Sequence, residues 1–184
     1  GSPLEQYMTF WRRVMVADFG PSLSAFPTPV AGLIGRAAPW TIGLLGVSTL
    51  LTWAIGNLLG RLAGYYRRNR TLKVAGVFAM AMHPMPHYIA AIILLLLFGY
   101  VWPIFPISGG SQMNIPQGFN AEYILSVLRH SILPTITLVL VGLGGWFLGM
   151  RSLVSNIVTE DYVTYAEIAG VPRRRILSAY VMRS

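Results

Sequence analysis

Three stretches of this sequence run for about twenty residues or more without an Asp, Glu, Lys or Arg: residues 39–59, 74–102 and 132–150. A helix that crosses a bilayer needs roughly 20 mainly apolar residues, since the hydrocarbon offers no water to satisfy a backbone that is not bonded internally. Each stretch meets that requirement. Core helices of soluble proteins are rarely apolar on every side over such a length. The expected fold is therefore an all-α membrane protein, a multi-span helical bundle with three spans. Pro39 suits the first turn of the first span, where its missing N–H costs nothing. Trp40 and Trp102 stand at span ends, where amphipathic rings favour the headgroup layer. Glycines run through all three spans and permit close helix–helix approach.

Composition agrees: 54% of the 184 residues are hydrophobic and 11% charged, against about a quarter charged in soluble domains. The net charge of +8 invites a nucleic-acid reading. Such binders spread cations over a wet face, whereas here many sit in short links between apolar runs, so no nucleic-acid partner is expected. The chain has no cysteine, which excludes disulfides and thiolate metal sites. The first twenty residues contain Glu5, Arg12, Arg13 and Asp18 and do not read as a secretory signal.

The cations set an orientation. Arg61, Arg67, Arg68, Arg70 and Lys73 lie between the first two spans, and Arg151, Arg173, Arg174, Arg175 and Arg183 follow the third, which is ten of the fourteen basic residues. By the positive-inside rule the link 60–73 and the tail 151–184 are cytoplasmic. The segment 1–38 and the loop 103–131 then face outside, together with Arg12, Arg13, Arg36 and Arg129. A chain that starts outside implies a further span before it, and the end falls inside an apparent helix. The expectation is a truncated piece of a longer subunit.

The polar stretch "EDYVTYAEIAGVPRRRIL", from Glu160 to Leu177, follows the third span. Asp161 suits a cap for a helix starting at Tyr162. Gly170 suits a left-handed helix end, and Pro172 the start of a second helix. Val163, Ala166 and Gly170 are spaced to share one nearly flat face, open to close approach by another protein. Bulk at Ala166 is then expected to block that contact without harming the spans. Arg173, Arg174 and Arg175 open the second helix, where helix-dipole terms do not favour cations, so they point to headgroups or to a protein. The spacing leaves a partner-docking helix and a membrane-surface anchor both open.

"DYVTYAEIAGVPRRRIL" resembles the cytoplasmic coupling loop, often called the EAA loop, of the permease subunits of ABC importers. The peptide-permease form is close to "DYVRTARAKGLPRRRVL". Asp161, Tyr162, Val163, Ala166, Gly170, Pro172, the arginine run and Leu177 match it. "ADFGPSLS" is similar to "GDFGRSLS" of that family, "FPISGG" to its outer-loop motif, "LRHSILPTITL" to "RHLILPALTL", and "GMRSLV" to "RSSMLEV". Five motifs in order, over most of the chain, resemble the first of the two permeases in dipeptide and oligopeptide importers. Thr164, Tyr165, Glu167 and Ile168 depart from the pattern. The resemblance implies a type I ABC importer permease fold in a bacterial or archaeal inner membrane. It also implies a non-catalytic transport subunit that works with a second permease, two ABC ATPase subunits and an extracellular substrate-binding protein, without a cofactor. It assigns ATPase coupling to Asp161, Tyr162, Val163, Tyr165, Ala166, Gly170, Arg173 and Arg174.

"HPMPH" puts His83 and His87 four apart within the second stretch. On a regular helix they would share a face and a metal is conceivable, but Pro84 and Pro86 interrupt regular helix. The family has a proline kink matching Pro86. A break lining the translocation path at His83, Pro84, Pro86 and His87, simple packing, and a metal site are the three alternatives; the first is preferred, because polar groups inside a membrane default to function. His130, beside Arg129, is expected at headgroups. The sequence contains no phosphate-binding G-x-x-x-x-G-K-[ST] loop and no catalytic triad or H-E-x-x-H spacing. Competing functions are a channel or pore subunit, an intramembrane enzyme, and a permease for an oligosaccharide or nickel.

Overall fold

A computed structural model describes the backbone of residues 1–176, so Leu177, Arg183 and the closing "YVMRS" lie outside the described residues. Among the described residues the regular structure is helical, apart from one isolated bridge between Pro21 and Pro29. The chain divides into two compact units, Gly1–Gly43 and Leu44–Ser184, with the boundary inside the second helix.

The first unit opens with α1, Pro3–Met15, started by a reciprocal cap. The Ser2 hydroxyl accepts the Glu5 N–H (3.4 Å) while the Glu5 carboxylate accepts the Ser2 N–H (3.0 Å), which satisfies two of the orphan donors of a helix start. No residue of α1 is buried. A closed loop follows: Ser22 N–H donates to Thr28 O (2.9 Å) and Val30 N–H to Gly20 O (3.0 Å). Helix α2, Val30–Tyr65, starts directly from that loop. It begins nine residues before the expected position, so Pro39 is an interior residue and not part of the first turn. The apolar stretch sets the minimum for a span, and Gly32, Gly35 and Arg36 do not suffice to stop the helix before it.

In the second unit, α3 is Arg70–Met82, capped by the Asn69 side chain on the Leu72 N–H (3.2 Å). Helix α4, His87–Leu95, continues as a π-helical segment, Leu96–Val101. Helix α5, Ala121–Ile157, is capped by Asn120, which accepts the Tyr123 N–H (2.7 Å), with Glu122 at the positive end. Residues 121–131, expected as loop, are therefore helical: Glu122, Arg129 and His130 lower the apolar count without interrupting helix. Short helices α6, Asp161–Ile168, and α7, Arg173–Ile176, follow. Helices α2 and α5 are long and apolar enough to cross a membrane, and α3 with α4 add a third crossing if the bent pair is one span.

Small residues decide how α2 meets α5. Ser48, Thr52, Gly56, Gly60 and Gly64 recur every four residues and are buried. A Cβ placed on Gly56 would lie 2.6 Å from the Trp146 Cβ, one on Gly60 2.6 Å from the Phe147 O, and one on Gly64 2.8 Å from the Val154 Cβ. The backbones touch where the side chains are missing, as expected for small-residue packing of spanning helices. Contacts advance together from Thr52 with Gly142 to Gly64 with Val154, so α2 and α5 run parallel. Helix α3 packs antiparallel on α5, with Gly76 at the Phe147 ring and Ala79 at Gly144. Ala63, Ala79 and Phe147 form the buried centre of this three-helix contact.

Candidate functional site

Parallel packing brings the ends of α2 and α5 together. Arg67 secures them: its Nε donates to Gly64 O (3.4 Å) and its Nη2 to Ser155 O. Both carbonyls lie in last turns, where unsatisfied acceptors and the dipole favour a cation. The basic link and the segment that follows α5 thus share one end of the unit. A cavity of about 330 Å³ lies between them, lined by Tyr65 to Asn69, Val158 and Glu167. The sequence marks Arg67 only as one cation among several; its role in tying two helix ends follows from the parallel packing.

Helix α6 sits at this same end. Its cap position is Glu160, without a side-chain cap bond, and Asp161 is its first helical residue rather than its cap. The carboxylate of Asp161 still lies in the favourable first turn. At the other end Gly170 has φ +76°. Val171 N–H donates to Ala166 O and Gly170 N–H to Glu167 O, both 3.1 Å. This double bond pattern is the Schellman closure, which requires a left-handed residue where Gly170 stands. Pro172 then leads into α7, its carbonyl accepting from Arg175 and Ile176 N–H.

The small face of α6 is turned inward. Val163 is 1% exposed and Ala166 7%, both packed with Val154 of α5 and Ile176 of α7. Tyr65 of α2 and Met150 and Ile157 of α5 border the same cluster. The expectation that Val163 and Ala166 lie open to a partner is corrected by this packing: small residues let α6 approach α5 of its own chain. The outer side of α6 instead carries Tyr165 at 71% exposure and Ile168 at 78%, with Asp161, Thr164, Glu167 and Gly170 also exposed. A Cβ on Gly170 would meet open space. The side chains of Tyr162, Arg173 and Arg174 lie outside the described ones.

The second candidate region is "HPMPH". Helix α3 stops at Met82 and α4 restarts at His87, with a bend of 108° between the two axes. Two prolines explain it. Neither has an N–H to donate, and Met85, before Pro86, is disfavoured in the α region; Pro86 itself is extended, at ψ 135°. The bend places the two histidines in different surroundings. His83 packs on the bare backbone of Gly144 and Gly145 in α5. His87 lines a cavity of about 260 Å³ with Ser48, Thr49 and Thr52 of α2 and Leu138, Gly142 and Trp146 of α5. The Thr52 hydroxyl donates to Ser48 O (2.6 Å), while the Ser48 hydroxyl is buried with no hydrogen-bond partner among the described residues. A buried hydroxyl without a partner is costly in an apolar setting. Ser48 and Thr52 were legible only as part of a four-residue repeat, not as companions of His87.

At the opposite end of the unit, His130 Nδ1 donates to Ser126 O (2.7 Å) and Arg129 to Ile104 O (3.3 Å). The Gln112 N–H donates to the Ser126 hydroxyl (2.8 Å). His130 is thus engaged within its own helix, and Arg129 fastens the 103–120 loop to α5. Among the described residues no group of three or more His, Asp or Glu side chains gathers as a metal site.

Comparison with known proteins covers nearly the whole chain. Residues 56–184 match the family model described as binding-protein-dependent transport system inner membrane component. The chain is 26% identical over 182 residues to the oligopeptide transport system permease protein AppB of Bacillus subtilis, covering 97% of this chain and 55% of that protein. It is 22% identical over 181 residues to the dipeptide transport system permease protein DppB of Lactococcus lactis, covering 98% and 54%. It is 27% identical over 169 residues to the inner membrane ABC transporter permease protein YejB of Escherichia coli O157:H7, covering 91% and 46%. The chain spans about half the length of the curated relatives it matches.

Proposed function

We propose a function from one premise: the chain belongs to the binding-protein-dependent transport system inner membrane component family. In this reading it is a permease subunit of an ATP-driven importer in a bacterial or archaeal inner membrane. Its cargo is di- or oligopeptides, the cargo named for the AppB and DppB relatives. It does not hydrolyse ATP itself; two ATPase subunits do so, and a second permease and an extracellular binding protein complete the assembly. The basic end of the second unit faces the cytoplasm, where positive charge is favoured. Segments 1–38 and 103–131 face outside.

The observation that carries this reading is the two-sided nature of α6. Its inner side, Val163 and Ala166, is fixed to Val154 of α5. Its outer side presents Tyr165 and Ile168 bare. An ATPase that grips the outer side moves α5 through the inner side, which suits rigid-body gating of the spans. Asp161, Tyr162, Tyr165, Gly170, Arg173 and Arg174 are the proposed coupling residues, with Val163 and Ala166 as the anchor of the helix rather than its contact. The bend at His83–His87 is proposed to line the translocation path, with the unpartnered Ser48 hydroxyl beside His87 as a polar group available there.

Cross-linking tests the coupling. Cysteines at Tyr165 and Ile168 are expected to cross-link to the ATPase subunit, and one at Ala166 is not; an intact complex with no cross-link at Tyr165 or Ile168 sinks the assignment. Sidedness is tested with an impermeant thiol reagent on intact cells, which is expected to label a cysteine at Ser111 and spare one at Asn69. The reverse pattern overturns the orientation.

A further inference from the structure

Helix α1 is amphipathic without a partner. At 100° per residue, Leu4, Tyr7, Met8, Trp11 and Met15 fall on one side, with Phe10 at its edge, and Glu5, Gln6, Thr9, Arg12 and Arg13 fall on the other. The apolar side is bare, from Trp11 at 45% exposure to Met15 at 83%. The polar side stays exposed too, with only an open cavity of about 470 Å³ where Asp18, Phe19 and Gly20 come beside Glu5, Thr9 and Arg13. A helix left in water would be expected to cover its apolar side, and this unit does not.

We propose that α1 lies in the membrane interface, with Leu4, Tyr7, Met8, Trp11 and Met15 sunk among the acyl chains and Arg12 and Arg13 at the phosphates. Three features of the unit favour lipid over a protein partner. The first is reach. The loop 20–30 is closed by the bond between Val30 N–H and Gly20 O, so only residues 16–20 separate α1 from the start of α2, a tether of at most about 18 Å. The membrane-length helix α2 starts there, and α1 cannot leave the neighbourhood of the bilayer. The second is composition: Tyr7 and Trp11 are the residue types enriched at membrane–water boundaries, and an apolar face with cations on the polar side is the interfacial pattern. The third is charge: two arginines in the last turn against one glutamate in the first suit lipid phosphates beside the polar face of an interfacial helix. Leu23, fully exposed, and Phe26, at the tip of the closed loop, add apolar groups to the same unit.

The test uses the protein in proteoliposomes of phosphatidylethanolamine and phosphatidylglycerol, with nitroxide labels on Met8→Cys, Met15→Cys or Thr9→Cys. These are exposed positions, so labelling does not require repacking. Labels at Met8 and Met15 are expected to collide several-fold more with oxygen, and several-fold less with an aqueous nickel chelate, than the label at Thr9. High nickel access at all three sites places α1 in water and overturns the proposal. Low access of both reagents at Met8 and Met15 means that protein covers the face, and overturns it in favour of a partner subunit.

Discussion

Helices α1 and α6 are both short and both outside the long apolar segments, yet they treat their apolar residues differently. Helix α6 gives its small residues to the chain: Val163 and Ala166 are buried on Val154 and Ile176. Helix α1 gives none, and every residue along it stays unburied. Size explains part of the difference. Small side chains make a face that fits a neighbouring helix closely. The large, varied side chains Tyr7, Met8, Phe10 and Trp11 suit an adaptable apolar medium. The face a helix presents therefore says which kind of surface it matches, but only packing shows whether that surface is its own chain.

The strongest test of the contrast is a charge on each face. Val163→Asp buries a carboxylate beside Val154 and Ile176 with no cation among the cluster residues. The cost is on the order of several kcal/mol, enough to release α6 from α5. Hydrogen exchange should show loss of protection across 161–168. Met8→Asp, at a residue that is 64% exposed, should leave folding unchanged and reduce only lipid contact. Equal tolerance of the two substitutions would break the comparison.

Overpacking is the next largest effect. Ala166→Trp forces an indole into the space between α6 and α5, with an expected loss of about 3 kcal/mol or more. The proposed ATPase contact should be lost together with local protection, because the helix itself is displaced. Tyr165→Ala should lose the contact while protection is retained. If Ala166→Trp weakens the contact and leaves exchange untouched, the face is open after all and the packing described for Val163 and Ala166 is wrong.

Much of this architecture was legible in the sequence, and the limits have physical causes. Uncharged runs mark spanning helices because the hydrocarbon excludes unpaired backbone. The same rule is silent about where a helix ends in water, which is why α2 and α5 extend beyond residues 39–59 and 132–150. Gly170 and Pro172 announced the corner between α6 and α7, since a positive φ and a missing N–H are local requirements. The spacing of Val163 and Ala166 gave a shared face; what covers it is a tertiary fact. The meeting of His87 with Ser48 and Thr52 depends on the 108° bend, and a proline signals a bend without fixing its angle.

A smaller effect is expected at Gly170. Its φ of +76° costs a β-branched residue on the order of 1–3 kcal/mol, although a new Cβ would touch nothing. Gly170→Val should raise exchange at the Val171 N–H, which bonds Ala166 O, and Gly170→Asn should restore most of the protection, because Asn tolerates the left-handed region. A steric cause would make the two variants equally harmful.

The smallest expected effect separates the local stability of α1 from its contact with lipid. Ser2→Ala removes one half of the reciprocal cap, the hydroxyl that accepts the Glu5 N–H at 3.4 Å. The loss is about 1 kcal/mol of helix start, and the bond is exposed and long, so the lower part of that range applies. In water this should fray the first turn, because α1 has no buried residue to hold it. In the interface the penalty is opposed by apolar burial along Tyr7, Met8 and Trp11, which lie past the first turn. Hydrogen exchange of the Glu5 and Gln6 amides should therefore rise only slightly in proteoliposomes. A clear rise there, of the size that loss of an unsupported cap gives, would mean that the bilayer contributes nothing to holding α1 and that its bare face is not a lipid face.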